Sequence, residues 1–207
     1  DILASILSKT NIHVCVTKGY VLPKTVDKNT LIIFTSISGN TDEINHLIRS
    51  ANLIHSNIIA FTSGGKLEDF CTKNNLSFRK IKMTNSPRAS LVNYIYSIIN
   101  VLEPILPIEK NDIDESIVCM EELQKQISSN NLNLTNPALN LANWIKNTPL
   151  IYYPWGLGAS AIRFKNSLQE NSKSHAFAED VIEMCHNGIV SWEQSSDMQP
   201  IMIEGHN

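Results

Sequence analysis

Three times along the chain a short, apolar, β-branched run stops at small polar residues and gives way to helical spacing. Leu31 to Phe34 passes into Ser36-Ile37-Ser38-Gly39-Asn40-Thr41, then into Asp42, Glu43 and the apolar positions Ile44, Leu47, Ile48 and Ala51. Asn57 to Phe61 ends in Thr62-Ser63-Gly64-Gly65-Lys66, and Leu67 to Asn75 suits a helix. Thr148 to Tyr153 ends in Pro154-Trp155-Gly156-Leu157-Gly158, and Ala159 to Glu170 again has helical spacing. Runs this apolar read as strands buried on both faces. Strands that alternate with helices predict a parallel sheet with helices on its faces, so the expected class is α/β. In such sheets ligands sit at the carboxyl edge, where these turns lie.

The remaining segments fill in this scheme. Ile2 to Leu7 has helical spacing, and the alternation of Ile12, Val14 and Val16 predicts a strand over Asn11–Thr17. Ser77 to Ile81 suits a short strand. Pro87 suits the start of a helix that continues over Leu91–Leu102. Pro104 to Ser116, with two prolines and an acidic run, reads as a linker. Ile117–Ile127 reads as an amphipathic helix, Ser128–Thr135 as an Asn-rich loop and Pro137–Ile145 as a helix. The pattern restarts at Thr148, which predicts two similar halves: residues 1–103 first, a linker over 104–116, and a second half over 117–207.

Composition narrows the function. The chain has 207 residues, 43% apolar and 18% charged, enough to bury a core. Its net charge of −3 comes without a basic patch suited to nucleic acid, and no apolar run is long enough to span a bilayer. Cys15, Cys71, Cys119 and Cys185 are scattered, with no C-x-x-C pair. That fits reduced thiols in a cytoplasmic protein better than a disulfide framework or a zinc site. Asn133-Leu134-Thr135 fits a glycosylation sequon but has no secretory context around it.

The turn after Leu31–Phe34 is the clearest candidate site. The first turn of a helix offers backbone N–H groups without internal partners and a partial positive charge, which suits a phosphate. Ser36, Ser38 and Thr41 add hydroxyls, and Gly39 allows a close backbone approach. The plainer reading of the same residues is an ordinary capped helix start. Arg88, a cation in the first turn of a helix, stands against the helix dipole and is either a surface residue or a site residue. Glu170 alone would be a solvent-facing helix position, and His186, beside Cys185, a structural histidine. The single E-x-x-H of Glu183 and His186 could be half of a carboxylate metal site, but only one copy is present.

Taken together these segments resemble a known family. Ser36-Ile-Ser38-Gly39-Asn40-Thr41 resembles the S-x-S-G-N-T loop of SIS (sugar isomerase) domains, which bind phosphosugars. Lys18-Gly-Tyr-Val-Leu-Pro23 is similar to an R-G-Y-x-L-P stretch, and Pro87-Arg88-Ala89-Ser90-Leu91 to a P-R-A-x-L motif. Arg163-Phe-Lys to Gln169-Glu170-Asn171-Ser172-Lys173 resembles R-F-K-x-x-x-N-E-N-A-K, with Gln169 and Ser172 departing. Glu183-Met184-Cys185-His186-Asn187-Gly188-Ile-Val190-Ser-Trp192 resembles P-E-x-x-H-N-E-I-V-G-W. There the proline is missing and Gly188 stands in for the acid. The set is similar to the bifunctional phosphoglucose/phosphomannose isomerase family and runs through nearly the whole chain.

The resemblance implies two SIS-type halves, each a parallel sheet flanked by helices, the second incomplete. It implies a phosphate held by Ser36, Ser38, Gly39, Asn40 and Thr41, with Arg88, Glu170 and His186 as catalytic residues and no metal or organic cofactor. It also implies a homodimer working in glycolysis and gluconeogenesis, with a sugar phosphate as its small-molecule partner. The family's glycine-rich loop would precede residue 1, and its C-terminal lysine and a specificity-pocket threonine would follow Asn207. The chain is therefore expected to be a piece of a longer protein, and inactive alone if those parts are required. Aldose–ketose isomerisation needs these residue types: a carboxylate to move a proton between C1 and C2, a cation to stabilise the enediolate, and an imidazole for ring opening. The rival readings are a phosphosugar sensor without turnover, which needs the hydroxyl loop but not Glu170 and His186, and an isomerase of another phosphosugar.

Overall fold

The computed structural model describes residues 1–205 and divides the chain into two units. One unit is Cys15–Leu106; the other joins Asp1–Val14 to the chain from Pro107 onward.

In the Cys15–Leu106 unit, β1 (Leu31–Ser36), β2 (Asn57–Thr62) and β3 (Ser77–Lys80) form a parallel sheet in the order β1-β2-β3. β2 is central, and four of its six residues are buried, including both Ala60 and Phe61 on opposite faces. Between the strands run α2 (Asp42–Leu53) and α3 (Gly65–Lys73), with α4 (Leu91–Leu102) after β3. α2 presents Leu47, Ile48 and Ala51, and α3 presents Leu67 and Cys71, to Phe34, Ile58 and Ala60 of the strands. These positions recur three or four residues apart, as an amphipathic helix on a sheet requires. The Arg49 guanidinium lies 5.0 Å from the Phe70 ring centroid, across the outer surface of the α2–α3 pair.

In the other unit β4 (Thr148–Tyr153) lies between β5 (Phe177–Asp180) and β6 (Met198–Met202), parallel to both. α1 (Ile2–Leu7) packs on α7 (Gly158–Ser167). α5 (Lys110–Ile127) packs on α6 (Pro137–Trp144). α6 starts as its sequence suggests: the Asn136 side chain accepts from the Ala138 and Leu139 amides, and Pro137 occupies the first turn. Gln199 ties the edge strand down, accepting from the Lys146 and Asn147 amides at 2.8 and 3.1 Å and donating to the Trp144 carbonyl at 2.9 Å.

Two local expectations give way. Asn11–Thr17 is not a strand, and Ile12 and Val16 are 42% and 44% exposed. Alternation makes a strand only where a neighbour supplies backbone partners. Here the chain passes from one unit to the other between Val14 and Cys15. The second concerns Pro104–Ser116. Helix α5 begins at Lys110, seven residues before the expected Ile117, because Glu109 and Asp112 form a reciprocal capping box. The Glu109 amide donates to Asp112 at 2.8 Å. The acidic run that reads as linker is therefore a helix start.

Cys71 is buried, and burial pushes its thiol up to about 11, while Cys15, Cys119 and Cys185 are exposed. The thiolate is the reactive form, so a raised pKa leaves less of it at pH 8. A thiol reagent at pH 8 is expected to modify three cysteines quickly and Cys71 only after unfolding; rapid modification of all four in the native protein would contradict this core.

Candidate functional site

The hydroxyl-rich turn lies at the carboxyl end of β1, where Ser36 pairs in register with Thr62 of β2. The two turns that follow these strands are laced together. The Ser63 amide donates to the Ile37 carbonyl at 3.0 Å, the Leu67 amide to the Gly39 carbonyl at 3.0 Å, and the Lys66 amide to Asn40 Oδ1 at 3.2 Å. Thr62 Oγ1 donates to the Gly64 carbonyl at 2.8 Å and accepts from the Gly64 amide. Gly39 has φ +67°, and a Cβ there would overlap the Gly64 carbonyl oxygen. Gly65, at φ +74°, is similarly crowded by the Ser38 carbonyl. Gly39 is thus required by the neighbouring turn as well as by the approach of a ligand.

The hydroxyls divide into two kinds. Ser36 is buried; its Oγ accepts from the Gly39 amide at 3.2 Å and lies 2.9 Å from Thr41 Oγ1. Because Ser36 is buried and Thr41 exposed, a Ser36-to-Thr41 bond leaves the Thr41 proton for an acceptor in solvent. Ser38 is exposed and its Oγ accepts from the Asn40 amide at 3.2 Å, which leaves its own proton to donate outward. Thr41 is the N-cap of α2 but caps none of its amides, since its hydroxyl is turned toward Ser36. The first amides of α2 have no side-chain cap, and Asp42 and Glu43 are the acids that follow. The result is two outward hydroxyl protons beside an uncapped helix start, an arrangement that suits a phosphate dianion.

Arg88 lies in the same unit, on an exposed short helical turn, Arg88–Ser90, just before α4. That turn is organised by Ser90, which sequence reasoning passed over. Ser90 is fully buried; its Oγ accepts from the Thr84 amide at 3.0 Å and donates to the Ser86 carbonyl at 3.0 Å. Thr84 and Ser86, both polar and short, were the available signal.

Glu170 and His186 belong to the unit built on β4. Each sits on a π-helical turn: Glu170 on Leu168–Ser172, which continues α7, and His186 on Met184–Gly188. Both side chains are exposed. The first turn is closed by Lys173 in the left-handed conformation, φ +58°, whose Nζ donates to the Glu170 carbonyl at 2.7 Å. Gln169 Nε2 donates to the Ala176 carbonyl at 3.2 Å, so this departure from the family pattern has a structural role. The second turn is braced by a hydrogen bond from Asn187 to Glu183, and beyond it Trp192 Nε1 donates to the Tyr152 hydroxyl at 3.0 Å. Gly188 faces Glu179: a Cβ there would stand 3.3 Å from its carboxylate. π turns are rare and concentrate at functional sites. Nothing in the residue pattern predicts them.

The β4 unit also holds a concavity of about 490 Å³ that sequence reading did not foresee. Ser5 and Ser8 of α1, His13, Tyr153, Trp155 and Asp180 are among its lining residues, and neither Glu170 nor His186 is. Among the described residues no group of three or more His, Cys, Asp or Glu side chains forms a metal cluster. No helix among them is long and apolar enough to cross a membrane.

Residues 134–207 match the bacterial phospho-glucose isomerase C-terminal SIS domain. Over 200 residues the chain is 33% identical to a bifunctional phosphoglucose/phosphomannose isomerase of Caldicellulosiruptor bescii, covering 91% of this chain and 57% of that protein. The chain belongs to the bifunctional phosphoglucose/phosphomannose isomerase family. Within the same range of similarity, a D-glucosamine-6-phosphate 4-epimerase of Sulfolobus acidocaldarius is 30% identical over 182 residues, covering 86% of this chain and 56% of that one. The chain spans about half the length of the curated relatives it matches. Among solved structures, a Salmonella typhimurium protein classed with the phosphosugar isomerases superposes with a TM-score of 0.68 at 14% identity, over 97% of this chain and 71% of that one. Tagatose-6-phosphate ketose/aldose isomerase of Escherichia coli superposes with a TM-score of 0.58 at 14% identity, over 86% and 50%. At these identities the superpositions establish the α/β fold of SIS domains.

Gly39→Ala is expected to lower stability by at least about 3 kcal/mol, part of it the cost of a left-handed Ala and the rest the overlap with Gly64. Gly19→Ala, where a Cβ meets nothing within 4 Å, carries only the backbone part. Urea unfolding of both variants checks the difference, and equal losses would refute the lacing of the two turns.

Proposed function

We propose that the intact protein is an aldose–ketose isomerase that interconverts glucose 6-phosphate, and mannose 6-phosphate, with fructose 6-phosphate. The observation that carries this reading is the presence in one chain of an uncapped, hydroxyl-lined helix start and of Glu170 and His186, each on a π turn and each within a family motif. A sensor of phosphosugars needs only the first.

In this reading the phosphate is held by the Ser38 and Thr41 hydroxyls and the first amides of α2, with Ser36, Gly39 and Asn40 shaping the turn. That binding energy orients the distant C1 and C2. His186 moves the ring-opening proton between the ring oxygen and the anomeric hydroxyl. Glu170 takes the proton from C2 of the open aldose. The electron pair of that C–H bond forms the C1–C2 double bond, and the carbonyl electrons move onto O1, giving an enediolate. Arg88 stabilises that charge. Glu170 then returns the proton to C1 while O2 becomes the ketose carbonyl. Mannose 6-phosphate passes through the same enediolate with protonation at the other face of C2. The chemistry calls for no metal or organic cofactor. The resemblance supports a homodimer acting in glycolysis and gluconeogenesis, and four unpaired cysteines support a reducing, cytoplasmic setting.

A second reading has a specific observation behind it. The epimerase relative is 30% identical over most of this chain, so an aminosugar phosphate is a competing substrate. Assays of the intact protein on glucose, mannose and glucosamine 6-phosphates distinguish the two. The expected result is fructose 6-phosphate from the first two and no epimer of the third.

Glu170→Gln is expected to lower kcat by about 10²–10⁴ while KM changes less than about threefold, since a proton-transfer group is lost and phosphate binding is not. Wild-type protein that binds sugar phosphates without turning them over would favour the sensor instead.

A further inference from the structure

The polar residue most deeply engaged with the phosphate turn is not in its motif. Asn45, in the first turns of α2, is 7% exposed. Its Nδ2 donates to two backbone carbonyls, Gly39 at 3.1 Å and Thr41 at 2.9 Å. Both carbonyls already have a backbone donor: the Leu67 amide on Gly39 and the Asn45 amide on Thr41. The side chain is thus a second tie on groups that were already satisfied. Its own Oδ1 is buried without a hydrogen-bond partner. A buried acceptor without a partner is costly, and Leu47, Ile48 and Ala51 show that the surrounding face of α2 suits apolar residues. Asparagine at this position is unfavourable for the core and favourable for the turn.

The geometry of the peptide unit says what the tie does. In a trans peptide the carbonyl and the following N–H point in opposite directions. Holding the Gly39 carbonyl toward Asn45 turns the Asn40 amide away from it, where it donates to exposed Ser38 Oγ. Holding the Thr41 carbonyl inward likewise turns the Asp42 amide outward from the start of α2. We propose that Asn45 is a positioning residue for the anion site, fixing two peptide planes so that the Asn40 and Asp42 amides and the Ser38 hydroxyl are set for a phosphate before it arrives. The proposal rests on the reading of this turn as the phosphate site.

The test uses the intact protein and inorganic phosphate, whose affinity is read from the amide resonances of Asn40 and Asp42, beside steady-state kinetics with glucose 6-phosphate. Asn45→Leu keeps a similar volume, removes both ties and removes the unpartnered oxygen. The expected result is a roughly tenfold weaker phosphate affinity and a similar rise in KM, with kcat within about threefold and a melting temperature no lower than wild type. A merely structural asparagine would instead lower the melting temperature and leave phosphate affinity within twofold of wild type, which overturns the proposal. Should Asn45→Leu fail to fold, Asn45→Asp, of the same shape but without the donor, carries the same comparison. If wild type binds phosphate at these amides but turns over no sugar phosphate, the isomerase reading falls and the Asn45 variants still bind phosphate more weakly. If wild type isomerises and the variants bind phosphate normally, only the role of Asn45 falls.

Discussion

The pairing of β1 with β2 fixes almost everything that matters at the phosphate turn. Parallel register sets Ser36 level with Thr62, so both strands release their chains at the same height of the same edge. Two turns with few residues between strand and helix must then share one small space. The glycines resolve the conflict: Gly39 and Gly65 adopt left-handed backbone where any side chain would strike the other turn. Each turn supplies the other with hydrogen-bond partners, as with Leu67 on Gly39 and Lys66 on Asn40. The loop that meets a ligand is held from behind by its neighbour, and its hydroxyls need not hold it in place themselves.

This changes the meaning of the S-x-S-G-N-T pattern in this chain. Its members do different jobs. Ser36 and Gly39 face inward and build the turn, Asn40 reaches across to the adjacent helix, and Ser38 and Thr41 keep protons for the outside. The uncapped start of α2 follows from the same arrangement, because the residue placed to cap it is committed to Ser36. A helix end left incomplete costs some stability and yields a place for an anion.

The strands β1, β2 and β4 and helices α2, α4 and α6 were legible in the sequence because strong apolar periodicity and local caps agreed, as at Asn136-Pro137. The turn at Ser36–Thr41 was legible because its residue types carry their own reasons. Strands β5 and β6 were not: Phe177-Ala-Glu-Asp180 is half polar, and β6 contains Pro200, which is tolerated there because β6 pairs with β4 alone among the described strands. The alternation at Ile12, Val14 and Val16 misled because pattern describes a strand's faces but not whether a neighbour exists to pair with it. The capping box at Glu109 was hidden inside a run whose charge suggested exposed linker. Asn45 and Ser90 escaped notice because a polar residue inside an apolar helix face, or in a turn, has no periodic signature; its value lies in which carbonyls it reaches.

Glu170 and His186 sit where the helical ladder is locally widened. Such a turn holds one residue more than an α-helix of the same rise, so in effect each is a single-residue insertion that the helix has absorbed as a bulge rather than passed on to its end. Deleting one position from either stretch would rewind it to regular geometry and swing whatever follows by about 100° around the axis. When distant sequences are aligned through these segments, a one-position gap beside the glutamate or the histidine therefore marks the gain or loss of a bulge, and the residues on its two sides belong to different helical phases.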